Sequence, residues 1–141
     1  MESINFFAED ISFPEIDEEK LSRWIRNTAS GYNCSVGALS YIFCNDEKIL
    51  EINRQYLQHD YYTDIITFDY SEQNEISGDI FISLDTVRTN AEKYQNRFLD
   101  ELHRVIIHGV LHLCGLNDET EAEQTAMRKA ENEALNRLSD M

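Results

Sequence analysis

Two histidines four residues apart, on an apolar stretch that a glycine ends, constrain this chain more than any other feature. The stretch runs from His108 to Asp118 and reads HGVLHLCGLND. One helical turn takes about 3.6 residues, so His108 and His112 project from the same face of a helix. Two such imidazoles can hold adjacent positions around a metal ion. The sequence therefore predicts an apolar helix with a metal-binding face.

The helix is expected to end at Gly115, because glycine commonly terminates helices and lets the backbone turn back. Asp118 follows six residues after His112, and it can offer a carboxylate oxygen as a third ligand. A second interpretation makes Asp118 a surface acid that leads into the acidic helix after it, with Glu119 or water completing the coordination. Three protein ligands on a tetrahedral ion leave one position open for water.

The same spacing occurs in zinc proteases with an H-E-x-x-H helix, in which the glutamate is the general base. Here Gly109 takes the place of that glutamate. The predicted site therefore has ligands without the protease base, and this argues against a peptidase.

Length and composition indicate one domain covering residues 1–141. The chain has no basic, apolar leader and no apolar run near the roughly 18 residues of a membrane-spanning helix. We therefore expect a soluble, cytoplasmic protein without a membrane partner. Cys34, Cys44 and Cys114 lack the spacing of a disulfide framework and are predicted to be reduced thiols.

The charge distribution bears on the partner. The net charge is −15, and a strongly acidic surface repels a phosphate backbone, so non-specific nucleic-acid binding is not expected. Residues 84–104 are balanced, with four acids and four bases, and they lead directly into the histidine helix. This neutral stretch would suit an anionic ligand that reaches the site.

We predict an α+β fold in which about four strands form a mixed sheet packed with about five helices, with the metal-site helix near the C-terminus. The strands over 64–70 and 78–83 are expected to form a hairpin, which makes the sheet mixed. Ala122, Ala126, Ala130, Ala134 and Leu138 are predicted to share one side of the last helix. The other predicted elements are strands over 2–7 and 36–44 and helices over about 17–31, 46–56, 85–96, 98–114 and 119–138.

Four short motifs resemble the YbeY family of bacterial rRNA maturation factors. The segment His108 to Gly115 resembles the family signature H-G-x-L-H-L-x-G. Upstream, residues 53–60 resemble N-x-x-[YF]-x-x-[KH]-D, residues 63–68 resemble T-[DN]-[VI]-[LI]-[ST]-F, and residues 78–80 resemble G-D-[IV]. Each motif is short, but four of them in the family's order are specific.

The resemblance implies a metal-dependent endoribonuclease, a hydrolase of single-stranded RNA that acts in 3′-end maturation of small-subunit rRNA and in ribosome quality control. It implies rRNA and the small ribosomal subunit as partners and one zinc ion per chain as cofactor. Carried over by position, the zinc ligands are His108, His112 and Asp118. The alternative is a ribosome-assembly or RNA-binding factor with a structural metal and little catalysis, which the charge of −15 favours.

This chain departs from the family pattern at two positions. The family's motif ends in G-[YF]-D-H, so its third ligand is histidine where this chain has Asp118. A carboxylate oxygen still suits Zn²⁺, but it adds negative charge to the site. Many members also carry arginine where this chain has Leu57; if that arginine steadies a phosphate during cleavage, this chain must use another cation or cleave more slowly.

Arg104 and His59 are the candidates for that catalytic cation. Arg104 lies one turn before His108 on the same helix face. Its non-catalytic interpretation is an ion pair with Glu101 or Asp100, and that of His59 is an exposed loop residue. Both interpretations stay open at the level of sequence.

Two further polar residues have predicted roles around the site. Asp79 follows Gly78 and is a candidate to orient a ligand histidine through a hydrogen bond. His103 falls off the ligand face of the helix, and we expect it to pack or to face solvent.

Overall fold

The computed structural model describes residues 3–57 and 64–141, apart from the side chain of Leu57. The described strands are β1 (Ser3–Ala8), β2 (Ser35–Cys44), β3 (Ile65–Asp69) and β4 (Glu75–Ser83). The described α-helices are α1 (Glu18–Ser30), α2 (Asp46–Ile52), α3 (Leu84–Lys93), α4 (Phe98–Leu113) and α5 (Glu121–Ser139). A π-helical turn, Asn53–Leu57, follows α2.

The four strands form one mixed sheet in the order β1-β2-β4-β3. The strands β1 and β4 both run parallel to β2, whereas β3 and β4 form an antiparallel hairpin. The predicted α+β class, the mixed four-stranded sheet and the hairpin are confirmed.

The helix α4 occupies the centre of the molecule, between α3 and α5 and against the sheet. The Tyr41 hydroxyl of β2 donates a hydrogen bond of 3.0 Å to the Ile106 carbonyl and ties α4 to the sheet. At Gly109 the helix packs tightly on the sheet, because a Cβ there would lie 3.0 Å from Ile80 and 3.3 Å from Ile65. Gly109 thus faces the sheet, where a glutamate side chain has no room.

The helix α5 is anchored at its start and along its buried side. Thr120 and Glu123 cap its first turn reciprocally, each accepting a hydrogen bond from the other's backbone N–H. The Trp24 indole of α1 donates a 2.8 Å hydrogen bond to the Ala134 carbonyl. The cap stabilises the first turn of α5, and the Trp24 hydrogen bond ties the helix to α1.

Several predicted boundaries need correction. The strand β4 begins at Glu75 rather than at residue 78, because residues 75 and 76 already pair with the start of β2. The helix α3 begins at Leu84, capped by Ser83 rather than started by Asp85, and it ends at Lys93. In α5, Ala122 and Ala126 are exposed, since the first two turns extend beyond the core. The buried side of α5 consists of Met127, Ala130, Glu131, Ala134 and Leu138.

The described part of the chain contains no helix long and apolar enough to cross a lipid bilayer. Cys34, Cys44 and Cys114 are all free. Cys114, two residues after His112, is partly buried and packs against the core.

Candidate functional site

The C-terminal half of α4 brings both histidines to one cavity of about 630 Å³. His112 is exposed and His108 is partly buried, so both imidazoles are open to the cavity. After α4 the chain turns at Gly115, whose φ of +105° lies in the region that favours glycine. The Gly115 N–H bonds to the His112 carbonyl at 3.0 Å, and the turn returns Asp118 to the same cavity.

The predicted ligands His108 and Asp118 face each other directly. Nε2 of His108 lies 3.4 Å from Oδ2 of Asp118. Two ligand atoms on a tetrahedral zinc ion stand about 3.3 Å apart, given bonds of roughly 2.0 Å. The separation and the N,O donor set therefore fit a divalent metal between these two side chains.

His112 lines the same cavity as His108 and Asp118, but the three side chains do not form a complete set of metal ligands. Within residues 3–57 and 64–141, no group of three or more His, Cys, Asp or Glu side chains is arranged so that it could hold a metal ion. The structure thus brings two of the three predicted ligands into contact and leaves the third at the rim of the same cavity. The assignment of all three as ligands stays a prediction.

The sequence-based interpretation missed Glu131, which lies behind His108. Oε2 of Glu131 is 2.8 Å from Nδ1 of His108, and only 7% of its side chain is exposed. Proteins commonly orient a metal-binding histidine by a carboxylate that accepts a hydrogen bond from the ring nitrogen facing away from the metal. A signal was present, because Glu131 lies four residues after Met127, on the buried side of an otherwise acidic, solvent-facing helix.

The predicted orienting residue, Asp79, does not serve this purpose. Its carboxylate accepts a hydrogen bond from the Tyr70 hydroxyl at 3.4 Å, and it does not line the cavity of the histidines. Glu131 takes this place because the packing of α5 against α4 brings it there. The other prediction for a neighbouring residue is confirmed, since the ring of His103 packs edge-on against Trp24.

Arg104 lines the cavity, but its guanidinium is engaged by α5. It donates to Glu131 Oε1 and to Asn132 Oδ1, at 2.8 Å each. The ion pair with Glu101 or Asp100 that sequence suggested is therefore wrong, and Arg104 pairs with Glu131 instead. The Arg104 charge offsets that of the buried Glu131 carboxylate. These two contacts do not favour the catalytic role of Arg104, which stays a prediction.

The charges around His108 shift its pKa and those of its neighbours. Burial lowers the pKa of His108, but the hydrogen bond and charge of Glu131, with Asp118 and Asp64, outweigh this effect and raise it. Burial raises the pKa of Glu131, yet hydrogen bonds from His108 and Arg104 bring it below its ordinary value. Burial raises the pKa of Asp64 at the cavity wall. The carboxylates around His108 therefore favour positive charge, whether a proton on the ring or a metal cation that would compete with this proton for Nε2.

His59 lies outside the described residues, so its role as a catalytic cation stays a prediction.

Comparison with known proteins gives consistent results. A sequence profile of the family described as Endoribonuclease YbeY matches residues 4–139. An endoribonuclease YbeY of Parabacteroides distasonis is 61% identical, over 94% of this chain and 94% of the relative. A second, of Bacteroides thetaiotaomicron, is 56% identical over 94% of this chain and 97% of the relative.

A solved structure resembles the fold as well. The solution structure of a Thermotoga maritima protein superposes with a TM-score of 0.66, and it covers 96% of this chain and 89% of that one. At 24% sequence identity, this likeness concerns the fold.

Proposed function

The chain belongs to the endoribonuclease YbeY family, and from this membership we propose that it is a zinc-dependent endoribonuclease of single-stranded RNA. The family supports the endoribonuclease role, and the geometry around His108 supports the metal. The observation that carries the proposal is the alignment of Glu131, His108 and Asp118. Their contacts of 2.8 Å and 3.4 Å place a fixed imidazole opposite a carboxylate at an open cavity.

We propose that one zinc ion per chain is held by His108, His112 and Asp118. When bound, such an ion supplies Lewis acidity and lowers the pKa of water toward neutrality, which suits phosphodiester hydrolysis. Glu131 fixes the ring of His108 from behind, so that Nε2 points toward Asp118. Arg104 in turn holds Glu131. Gly109 packs on the sheet and supplies no base at the position of the protease glutamate, so we expect modest turnover.

The shape of the site supports internal cleavage of a chain. The cavity of about 630 Å³ meets a second cavity of about 570 Å³. The two share four lining residues, and these include His108 and Asp118. A strand that lies along both cavities would pass the site between its two ends, as internal cleavage requires.

In the cell, we propose that the protein acts in the cytoplasm on rRNA of the small ribosomal subunit, in 3′-end maturation and ribosome quality control. This part rests on the family resemblance of the motifs. The alternative is an assembly factor with a structural metal, which the net charge of −15 favours because it opposes RNA binding.

The test combines metal content with cleavage. Elemental analysis of the wild type, His112→Ala, Asp118→Ala and Glu119→Ala is expected to give about one zinc per chain in the wild type and in Glu119→Ala, and much less in the other two. Full zinc in Asp118→Ala together with loss in Glu119→Ala would move the third ligand to Glu119. Wild-type cleavage of single-stranded RNA by folded His112→Ala would refute the hydrolase mechanism.

A chelator separates the enzyme from the assembly factor. The enzyme hypothesis expects cleavage to stop while the protein stays folded, whereas a structural metal would make the protein unfold. Co-sedimentation with small ribosomal subunits without any cleavage would support the alternative.

A further inference from the structure

The larger cavity extends across α4 from α3 to α5. Tyr94, which follows α3, lines it together with Arg128 of α5, while His108 and His112 of α4 lie between these two helices. The second cavity continues from Arg128 along α5. The candidate metal site thus lies where two adjoining cavities share His108, Asp118 and Arg128 in one groove.

Arg128 is the cation that this groove offers to an anionic ligand. Of the described residues that line either cavity, only Arg104 and Arg128 carry a positive charge independent of pH. Arg104 binds Glu131 Oε1 at 2.8 Å, whereas Arg128 approaches the same oxygen only to 3.9 Å. The Arg128 side chain is 61% exposed, so its guanidinium is available to a phosphate that reaches Asp118 and His108.

Tyr94 presents an aromatic ring to the other side of the groove. It is 56% exposed and lines the larger cavity. Lys93 lies 5.4 Å from the ring centroid and adds positive charge nearby. An exposed ring beside a cation is a platform on which a nucleic-acid base can stack.

We propose that single-stranded RNA crosses α4 from Tyr94 to Arg128, with a base stacked on Tyr94 and a phosphate held by Arg128. The strand then passes His108 and Asp118 between these two anchors. Both anchors position the substrate and take no part in the chemical step. This path rests on the proposed function, because it assumes that the ligand of the groove is RNA.

The test is the salt dependence of RNA binding. A short, unstructured, fluorescein-labelled RNA is mixed with the zinc-loaded protein, and anisotropy read at once, while a gel shows the RNA still intact, gives its affinity. Each phosphate contact on a single strand contributes about 0.7 to the slope of log affinity against log salt. Arg128→Ala is expected to reduce the slope by about 0.7.

Lys129→Ala is the matched control for Arg128. Lys129 is the next residue of α5, it is exposed, and it lines neither cavity. Its removal changes the net charge by the same amount, so the slope should stay at the wild-type value. Equal slopes for Arg128→Ala and Lys129→Ala would show that only overall charge matters and would overturn the assignment of Arg128.

Tyr94→Ala is expected to weaken binding by about 5-fold to 150-fold with an unchanged salt slope, because stacking releases no counterions. Tyr94→Phe should bind as the wild type does. Tyr70 is 59% exposed and lines neither cavity, so Tyr70→Ala should have no effect. If Tyr94→Ala bound the RNA with wild-type affinity, the proposed contact between RNA and Tyr94 would be excluded.

The failure of the path and the failure of the proposed function are distinguishable. Wild-type protein that neither binds nor cuts single-stranded RNA would refute both. Wild-type protein that binds and cuts, alongside anchor variants with unchanged affinity and slope, would overturn the path alone.

Discussion

Replacing Glu131 by glutamine tests the contact on which the candidate metal site depends. The carboxylate accepts from Nδ1–H of His108 through one oxygen and from Arg104 through the other. This leaves Nε2 of His108 without a proton and with its lone pair toward Asp118. Glutamine has only one oxygen. If that oxygen stays on Arg104, the amide N–H₂ faces Nδ1 and moves the ring proton to Nε2, where it blocks a metal.

The expected effect is mainly on metal affinity. Loss of an orienting partner of a metal-binding histidine typically weakens binding about 10-fold to 100-fold, or about 1.4–2.7 kcal/mol. The metal-free protein should lose only about 1 kcal/mol of stability, because the amide still makes both hydrogen bonds. Glu131→Ala should cost more, about 3 kcal/mol, since it leaves the mostly buried Arg104 without its carboxylate.

The assay is competition for zinc with a chromophoric chelator, run beside urea unfolding of the metal-free protein. Glu133→Gln is the matched control, because Glu133 is exposed on the same helix and the charge change is the same. Wild-type zinc affinity in folded Glu131→Gln would refute the argument from the histidine tautomer. Equal losses of zinc affinity in Glu131→Gln and Glu133→Gln would show that the effect comes from overall charge.

Three further outcomes are expected. Gly109→Glu should destabilise the fold by about 3–5 kcal/mol in urea unfolding, because its carboxylate would be forced against Ile80; normal stability would contradict the packing of α4 on the sheet. Tyr41→Phe should cost about 1 kcal/mol through loss of the hydrogen bond to Ile106, and unchanged stability would show that this bond adds nothing. Burial lowers the pKa of His108, but the nearby carboxylates raise it overall above 6.5. The chelated protein should therefore gain stability below pH 6.5 and lose this gain as the pH rises through the raised pKa. Urea unfolding at about pH 6 and about pH 8 checks this, and an equal gain in Glu131→Gln would contradict it.

Local sequence accounts for much of the candidate site. The helical period alone places His108 and His112 on one face, and the apolar pattern of α4 predicts the helix. Gly115 ends the helix through a backbone angle that few other residues adopt readily, and the return to Asp118 follows within three residues. These features involve neighbours along the chain, so local propensities were sufficient to predict them.

Boundaries that depend on a partner strand were predicted less well. The polar start of β4 at Glu75 resembles a loop in sequence, and only its pairing with β2 makes it a strand. Likewise, the sequence shows that Gly109 supplies no base, but it does not show that this residue packs tightly against Ile80. Propensities of single segments do not report on such contacts.

The sequence by itself therefore determined the α+β class, the helix that carries the histidines and the turn that returns Asp118, because all of these follow from periodicity and local backbone preference. Only the tertiary structure decided that Glu131 orients His108, that Arg104 neutralises Glu131, and that Arg128 is the cation exposed to the groove. The residues Arg104 and Glu131 are 27 positions apart, and their meeting depends on how α5 packs against α4. No local pattern specifies a contact that arises when two helices bury their apolar faces together.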